Sequence, residues 1–211
     1  MSDLFYDAVV LLGRPAFWVS SRPVILGAEH ASLPGSLLVA ANHTSPYDIP
    51  LLMRHVRRRV DFVSITEVFR NPVVAGLYGA MNAFPLERSR PDAPAVRAIL
   101  ERLGRGRCVA LFPEGRFRRG SESMVHTGQI RSGIGRIAKL AGAPILPCAI
   151  VGSEGYSRFA AWLPLRRTRY GIAFGPALAP GEPEETERQL VEAVARLHAE
   201  LVTAIGGTRG C

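Results

Sequence analysis

The chain has 211 residues, enough for one or two domains with a sizeable core, and 47% hydrophobic against 21% charged residues excludes wholesale disorder. Three cysteines without a CxxC pair exclude a disulfide framework and a zinc-ribbon pattern, and they fit a reducing compartment. Twenty-six basic against 18 acidic residues leave a formal charge of +8, which suits an anionic membrane, a phosphorylated substrate, nucleic acid or an acidic carrier protein.

No run approaches the roughly 18–20 apolar residues needed to cross a bilayer. The first segment, Leu4 to Val19, is interrupted by Asp7, Gly13, Arg14 and Pro15 and lacks the start and cleavage site of a secretory signal. Leu4, Phe5, Ala8, Val9, Leu12, Ala16 and Val19 recur at helical spacing, and Val10, Leu11 and Phe17 widen that face. Pro15 predicts a break into two short helices. Packing on the chain's own domain and lying in a membrane interface both suit such a face. Residues 1–21 are read as an amphipathic helical membrane-association segment.

Beyond Arg22-Pro23 the pattern turns α/β. Strands are predicted at Val24–Leu26, Leu37–Ala41, Val60–Ile65, Ala83–Leu86, Val109–Phe112, Ala143–Val151 and Tyr170–Phe174. Helices are predicted around Pro46–His55, Pro72–Met81, from a cap at Asp92 to Gly104, at Ile130–Leu140 and from Pro183 to about Ile205. Gly120–Thr127 reads as a loop. The fold class is therefore α/β, one domain over 22–205 with a mixed central sheet flanked by helices, an amphipathic helical appendage before it and a flexible tail at 206–211.

Three polar islands interrupt the apolar pattern. In AANHTSPYD, Ala40 to Asp48, a strand ends at Asn42-His43 and Pro46 turns the chain into a helix. If the turn folds back, Asp48 accepts a proton from one ring nitrogen of His43 and the other nitrogen is left as a base for a hydroxyl. Structural hydrogen bonding suits the same pair. Ser45 would be a hydrolase nucleophile or, more simply, a capping hydroxyl; no GxSxG elbow is present. In FPLERSR, Phe84 to Arg90, Arg88 can fork onto phosphate or form a surface ion pair. In LFPEGRFRRG, Leu111 to Gly120, backbone N–H groups near Glu114 and Gly115 with Arg116, Arg118 and Arg119 could cradle phosphate, or form a solvated basic loop. Cys108 and Cys148 read as core, His126 lacks an acidic partner, and Cys211 lacks a prenylation box. With no base-stacking surface and no helix-turn-helix or finger pattern, nucleic acid is not an expected partner.

In order, NHTSPYD, VFRNPVVAGLYGAMNAFPLER, LFPEGR and PILPCAI resemble the motifs of the glycerolipid acyltransferase family, typified by 1-acylglycerol-3-phosphate acyltransferases. The matching residues are His43 and Asp48; Glu67, Pro72, Gly76, Phe84 and Arg88; Phe112 to Gly115; and Pro147. The resemblance spans about residues 5–175, including Gly27 to Gly35 ahead of the first motif. It implies transfer of a fatty acyl group from acyl-CoA or acyl carrier protein to the hydroxyl of a lysophospholipid or glycerol phosphate, 1-acylglycerol-3-phosphate foremost, with no metal or cofactor. It implies His43 and Asp48 as the catalytic pair, and a substrate-binding set of Arg88, Glu114, Gly115, Arg116 and Arg118. It also implies work at an anionic membrane, peripheral or monotopic on its cytoplasmic face. An acyl thioesterase or lipid hydrolase, and a non-catalytic membrane lipid-binding protein, are the alternatives.

Two departures bear on the acceptor. Phe117 stands where an arginine is usual in the third motif, and Ile65-Thr66 replace the basic residue often found before Glu67. Another lysolipid, glycerol-3-phosphate or an amino-acid lipid therefore stays open as acceptor.

Overall fold

The computed structural model describes residues 3–65, 76, 79, 82–86, 93–158, 161 and 167–207. Helix α1 spans Asp3–Ser20, followed by β1 Ser21–Leu26, β2 Leu37–Ala41, α2 Asp48–His55, β3 Val60–Ile65 and β4 Phe84–Leu86. Then come α3 Ala93–Gly104, β5 Cys108–Leu111, α4 Met124–Thr127, α5 Ile134–Ala141, β6 Ile145–Val151, β7 Thr168–Phe174 and α6 Pro183–Gly207. The expected helix at Pro72–Met81, the Asp92 cap, Glu67, Pro72 and Arg88 fall wholly or largely outside the described residues.

Among the described residues seven strands form one mixed sheet in the order β1-β7-β6-β2-β5-β3-β4. Neighbours run parallel except the antiparallel β6–β7 pair. Strand β2 lies at the centre and is buried along its whole length, because helices cover both faces. Its side chains alternate between two cores. Leu37, Val39 and Ala41 meet Leu51 and Leu52 of α2 and Tyr6 of α1. Leu38 and Ala40 meet Ile99 of α3, Ala138 of α5 and Leu190 and Val194 of α6.

Four local expectations are corrected. Pro15 does not split α1, which runs unbroken through it. Leu11, whose carbonyl loses its intrahelical donor at Pro15, is exposed like Pro15 itself, so water can take the bond. Helix α5 starts at Ile134 rather than Ile130, because Glu187 of α6 accepts the N–H groups of Gly133 and Gly135 (2.7 and 3.1 Å) and caps the helix there. Gly120–Thr127 is no plain loop; it folds as a 3-10 turn over Gly120–Glu122 followed by α4. Helix α6 also runs through Gly206 and Gly207, two residues into the stretch read as a tail.

Helix α1 divides its broad apolar face: it docks through Tyr6, Val9, Val10, Gly13 and Phe17, while Leu4, Ala8, Leu12 and Ala16 face outward. Polar tethers set this choice: the Tyr6 hydroxyl accepts the Val60 N–H at 3.3 Å, and Arg59 binds both Asp3 and Asp7. Among the described residues no helix is long and apolar enough to cross a membrane.

At the end of α2, the Nε2 of His55 shares a hydrogen bond with the Tyr170 hydroxyl at 2.7 Å. Burial, then the positive charge of Arg54, lowers the His55 pKa to about 4. The unfolded chain takes up this proton near pH 6.5 and the folded chain only near 4, so stability is lost as pH falls through that window and levels off below it. Urea unfolding across pH 7 to 4 should show wild type losing on the order of 2 kcal/mol more than His55→Gln. Parallel curves for the two proteins would refute this.

Candidate active site

The carboxyl ends of β2, β5 and β6, three adjacent parallel strands, bring Asn42-His43, Phe112-Pro113-Glu114 and Gly152-Ser153 to one edge of the sheet. Past Ala41, the Asn42 amide bridges to the neighbouring strand. Its nitrogen donates to Ile150 O (2.9 Å) and its oxygen accepts the Ile150 N–H (2.8 Å), mimicking one more ladder residue. His43 then leaves the sheet.

The turn that follows is closed by one carboxylate. Asp48, fully buried at the first turn of α2, accepts the backbone N–H of Thr44 (2.8 Å) and Ser45 (3.0 Å) on Oδ2. The same oxygen lies 2.9 Å from His43 Nδ1, and Oδ1 accepts the Ser153 hydroxyl. An oxygen already accepting two N–H groups faces Nδ1 as an acceptor, so Nδ1 carries the proton. Nε2 is thereby left with its lone pair, and among the described residues it has no hydrogen-bond partner. Ser45 does not suit the nucleophile role: it is fully buried and its hydroxyl oxygen accepts the Tyr47 N–H.

Two rings enclose the imidazole. Phe112 stacks on it at 3.7 Å between centroids with 13° between planes, and Phe117 lies tilted against it at 4.3 Å. Phe112 is half-buried and Phe117 is 49% exposed, so two rings pack against the imidazole and the Phe117 one borders solvent.

Glu114, expected among the substrate-binding residues, is held from within the protein. It is 1% exposed, and its carboxylate accepts the N–H of His43 (2.7 Å), the N–H of Met124 (2.6 Å) and the hydroxyl of Ser123 (2.8 Å). A group so engaged ties β2, β5 and α4 together and positions the backbone of His43. Gly115, at φ +69°, makes the turn after it; a Cβ there would also come within 2.7 Å of the Arg131 side chain. Arg118 donates its backbone N–H to the His43 carbonyl (2.8 Å), while its buried Nε has no hydrogen-bond partner among the described residues. Such a buried donor is what a substrate oxygen could satisfy. Arg116 is exposed, and Arg119 donates to the Thr44 carbonyl.

Ser153 escaped the sequence reading. The available signal was a polar residue just beyond the buried run ILPCAIV, the pattern that also flags His43 and Glu114. Cys108 and Cys148 are core: burial raises Cys108 to about 12 and holds Cys148 well above the usual thiol range. His126 lies against His198, not a carboxylate. Among the described residues no group of three His, Cys, Asp or Glu side chains could hold a metal ion.

Fold and site define an α/β protein with a histidine–aspartate pair at the carboxyl ends of its parallel strands. Residues 23–151 match the Acyltransferase family over more than half of the chain, and the chain belongs to that family. It is similar to 1-acyl-sn-glycerol-3-phosphate acyltransferase of Bacillus subtilis, 24% identical over 137 residues, which is 64% of this chain and 66% of that protein. A chloroplastic 1-acyl-sn-glycerol-3-phosphate acyltransferase of Brassica napus is 29% identical over 115 residues, 54% of this chain and 32% of the plant protein. The match thus spans just under two thirds of the bacterial relative and about a third of the plant one. The crystal structure of the 1-acyl-sn-glycerophosphate (LPA) acyltransferase PlsC from Thermotoga maritima superimposes with a TM-score of 0.67 at 26% identity, covering 98% of this chain and 80% of that one.

Glu114→Ala would strand three donors in a dry site. It should cost about 3 kcal/mol or more in urea unfolding without substrate. Unchanged stability would return Glu114 to the role of a substrate ligand.

Proposed function

We propose that this protein transfers a fatty acyl group from a thioester donor, acyl-CoA or acyl carrier protein, to the hydroxyl of a lysophospholipid or glycerol phosphate, with 1-acylglycerol-3-phosphate the foremost acceptor. Family membership and the names of the similar proteins support the reaction class. The observation that carries the mechanism is the His43–Asp48 bond with Nε2 left unpartnered beside it.

Nε2 takes the proton of the acceptor hydroxyl as its oxygen attacks the thioester carbonyl carbon. Asp48 holds the ring in the tautomer that presents Nε2 and balances the imidazolium that forms. The tetrahedral intermediate collapses, the carbon–sulfur bond breaks, and the imidazolium returns the proton to the leaving thiolate. The products are an ester and a free thiol. Arg88, Arg116 and Arg118, with the backbone around Gly115, are the groups assigned to substrate phosphate. The unsatisfied Nε of Arg118 supports its share of that task.

Residues 1–21 serve as the membrane-association segment of a peripheral or monotopic enzyme at the cytoplasmic face. The outward Leu4, Leu11, Leu12 and Trp18 of α1 support immersion in an interface.

Phe117 is given a second task. An apolar ring over one side of the imidazole keeps water from Nε2 and favours transfer over hydrolysis. Purified protein should be incubated with palmitoyl-CoA and a panel of 1-acylglycerol-3-phosphate, other lysolipids, glycerol-3-phosphate and an amino-acid lysolipid, with products read by mass spectrometry. Wild type should form a new ester, and His43→Ala should lose about 10²- to 10⁴-fold in rate. Phe117→Ala should raise the ratio of free fatty acid to ester several-fold. Fatty acid without ester from wild type would make the protein a thioesterase. No turnover with either donor would overturn the enzyme reading.

A further inference from the structure

The arginines around the junction of α1 and α2 fall into two groups. Arg58 is spent on the carbonyls of Leu33 (2.6 Å) and Gly106 (2.7 Å), and Arg59 on Asp3 and Asp7. Of the other three, Arg14 and Arg57 are exposed and, among the described residues, have no side-chain hydrogen bond or ion pair; Arg54 is half-buried, leans over the Phe17 ring at 5.8 Å and hydrogen-bonds the Tyr170 side chain. These three line one concavity of about 620 Å³, whose walls also include Trp18 and Ile25 and contain no carboxylate.

We propose that Arg14, Arg54 and Arg57 form a binding notch for the phosphate of an anionic phospholipid, set where α1 meets the C-terminal end of α2. Three guanidiniums and no acidic group select an anion, and their planar forks match phosphate oxygens. The surroundings select a lipid over a soluble phosphate. Trp18 is 71% exposed and Ile25 42% exposed at the notch, and Leu11 and Leu12 extend the apolar surface along α1. An apolar crevice of about 110 Å³ between α1 and α2 shares Arg14 and Arg54 with the notch. A molecule with a phosphate head and apolar tails satisfies all of these at once.

The notch stands apart from the catalytic pair. Asp48 begins α2 and Arg54 is in its last turn, about 9 Å further along the axis at 1.5 Å per residue. A lipid held here would fix the depth and tilt at which α1 meets the bilayer. The inference rests on the membrane-surface reading above and gives that surface a specific contact.

Co-sedimentation with phosphatidylcholine vesicles, with and without one-fifth phosphatidylglycerol, tests it without turnover, so a protein that binds but transfers nothing would fail the enzyme reading and keep the notch. Arg14→Gln/Arg57→Gln should weaken binding to the anionic vesicles about ten- to thirty-fold, since each arginine near such a surface is worth roughly five-fold. Arg14→Lys/Arg57→Lys, with the charge kept, should recover part of it and shows that the pair folds. Arg97→Gln/Arg136→Gln removes the same charge from exposed positions on helices of the opposite sheet face and should cost less than about three-fold. Equal losses in both glutamine pairs would reduce the effect to diffuse charge and overturn the notch, as would no loss in either. Loss of palmitoyl-CoA binding by the Arg14/Arg57 pair with vesicle binding unchanged would overturn it in favour of a donor site.

Discussion

One buried carboxylate holds the end of β2 together. Asp48 has no exposed surface and receives Nδ1 of His43, two backbone N–H groups and the Ser153 hydroxyl. Carboxylate burial is costly unless its lone pairs are filled. Here the filling groups are the turn itself, so the same contacts that make the site affordable to fold also fix the histidine tautomer. Glu114 repeats the arrangement one strand away, joining His43 N–H to Ser123 and Met124. Between them the two carboxylates hold both the ring and the backbone of His43.

The sheet makes this possible. Strands β5, β2 and β6 run parallel side by side, so residues 43, 114 and 153 meet although 71 and 110 positions separate the last two from the first. The central strand is covered on both faces, and the Asn42 amide pairing with Ile150 fixes its end against β6. Phe112 and Phe117 complete the site by walling the imidazole. Arginines then occupy two separate regions, one around residues 116–119 beside the histidine and one where α1 meets α2.

Much of this was legible in the sequence, and the failures have physical causes. The spacing from His43 to Asp48 with Pro46 between them foretold a folded-back turn, and the ladder bonds match Leu37–Ala41 and Val60–Ile65 residue for residue. Glu114 was found but its structural contacts were not, because its partner N–H groups lie on distant segments that local pattern does not pair. Ser153 was missed for the same reason. Which part of α1 docks was not legible, because the helix is apolar nearly all round and the hydrophobic period has little to discriminate; the tethers of Asp3, Tyr6 and Asp7 decide. The start of α5 depended on Glu187, more than 50 residues away.

The most direct measurement of the central claim is the tautomer of His43, read by long-range proton–nitrogen NMR on protein labelled with ¹⁵N-histidine and assigned with His43→Gln. In the neutral ring, Nδ1 should carry the proton and Nε2 should show the shift of an unprotonated, pyridine-like nitrogen. A proton on Nε2 in the neutral ring would leave no base facing the acceptor and would contradict the account.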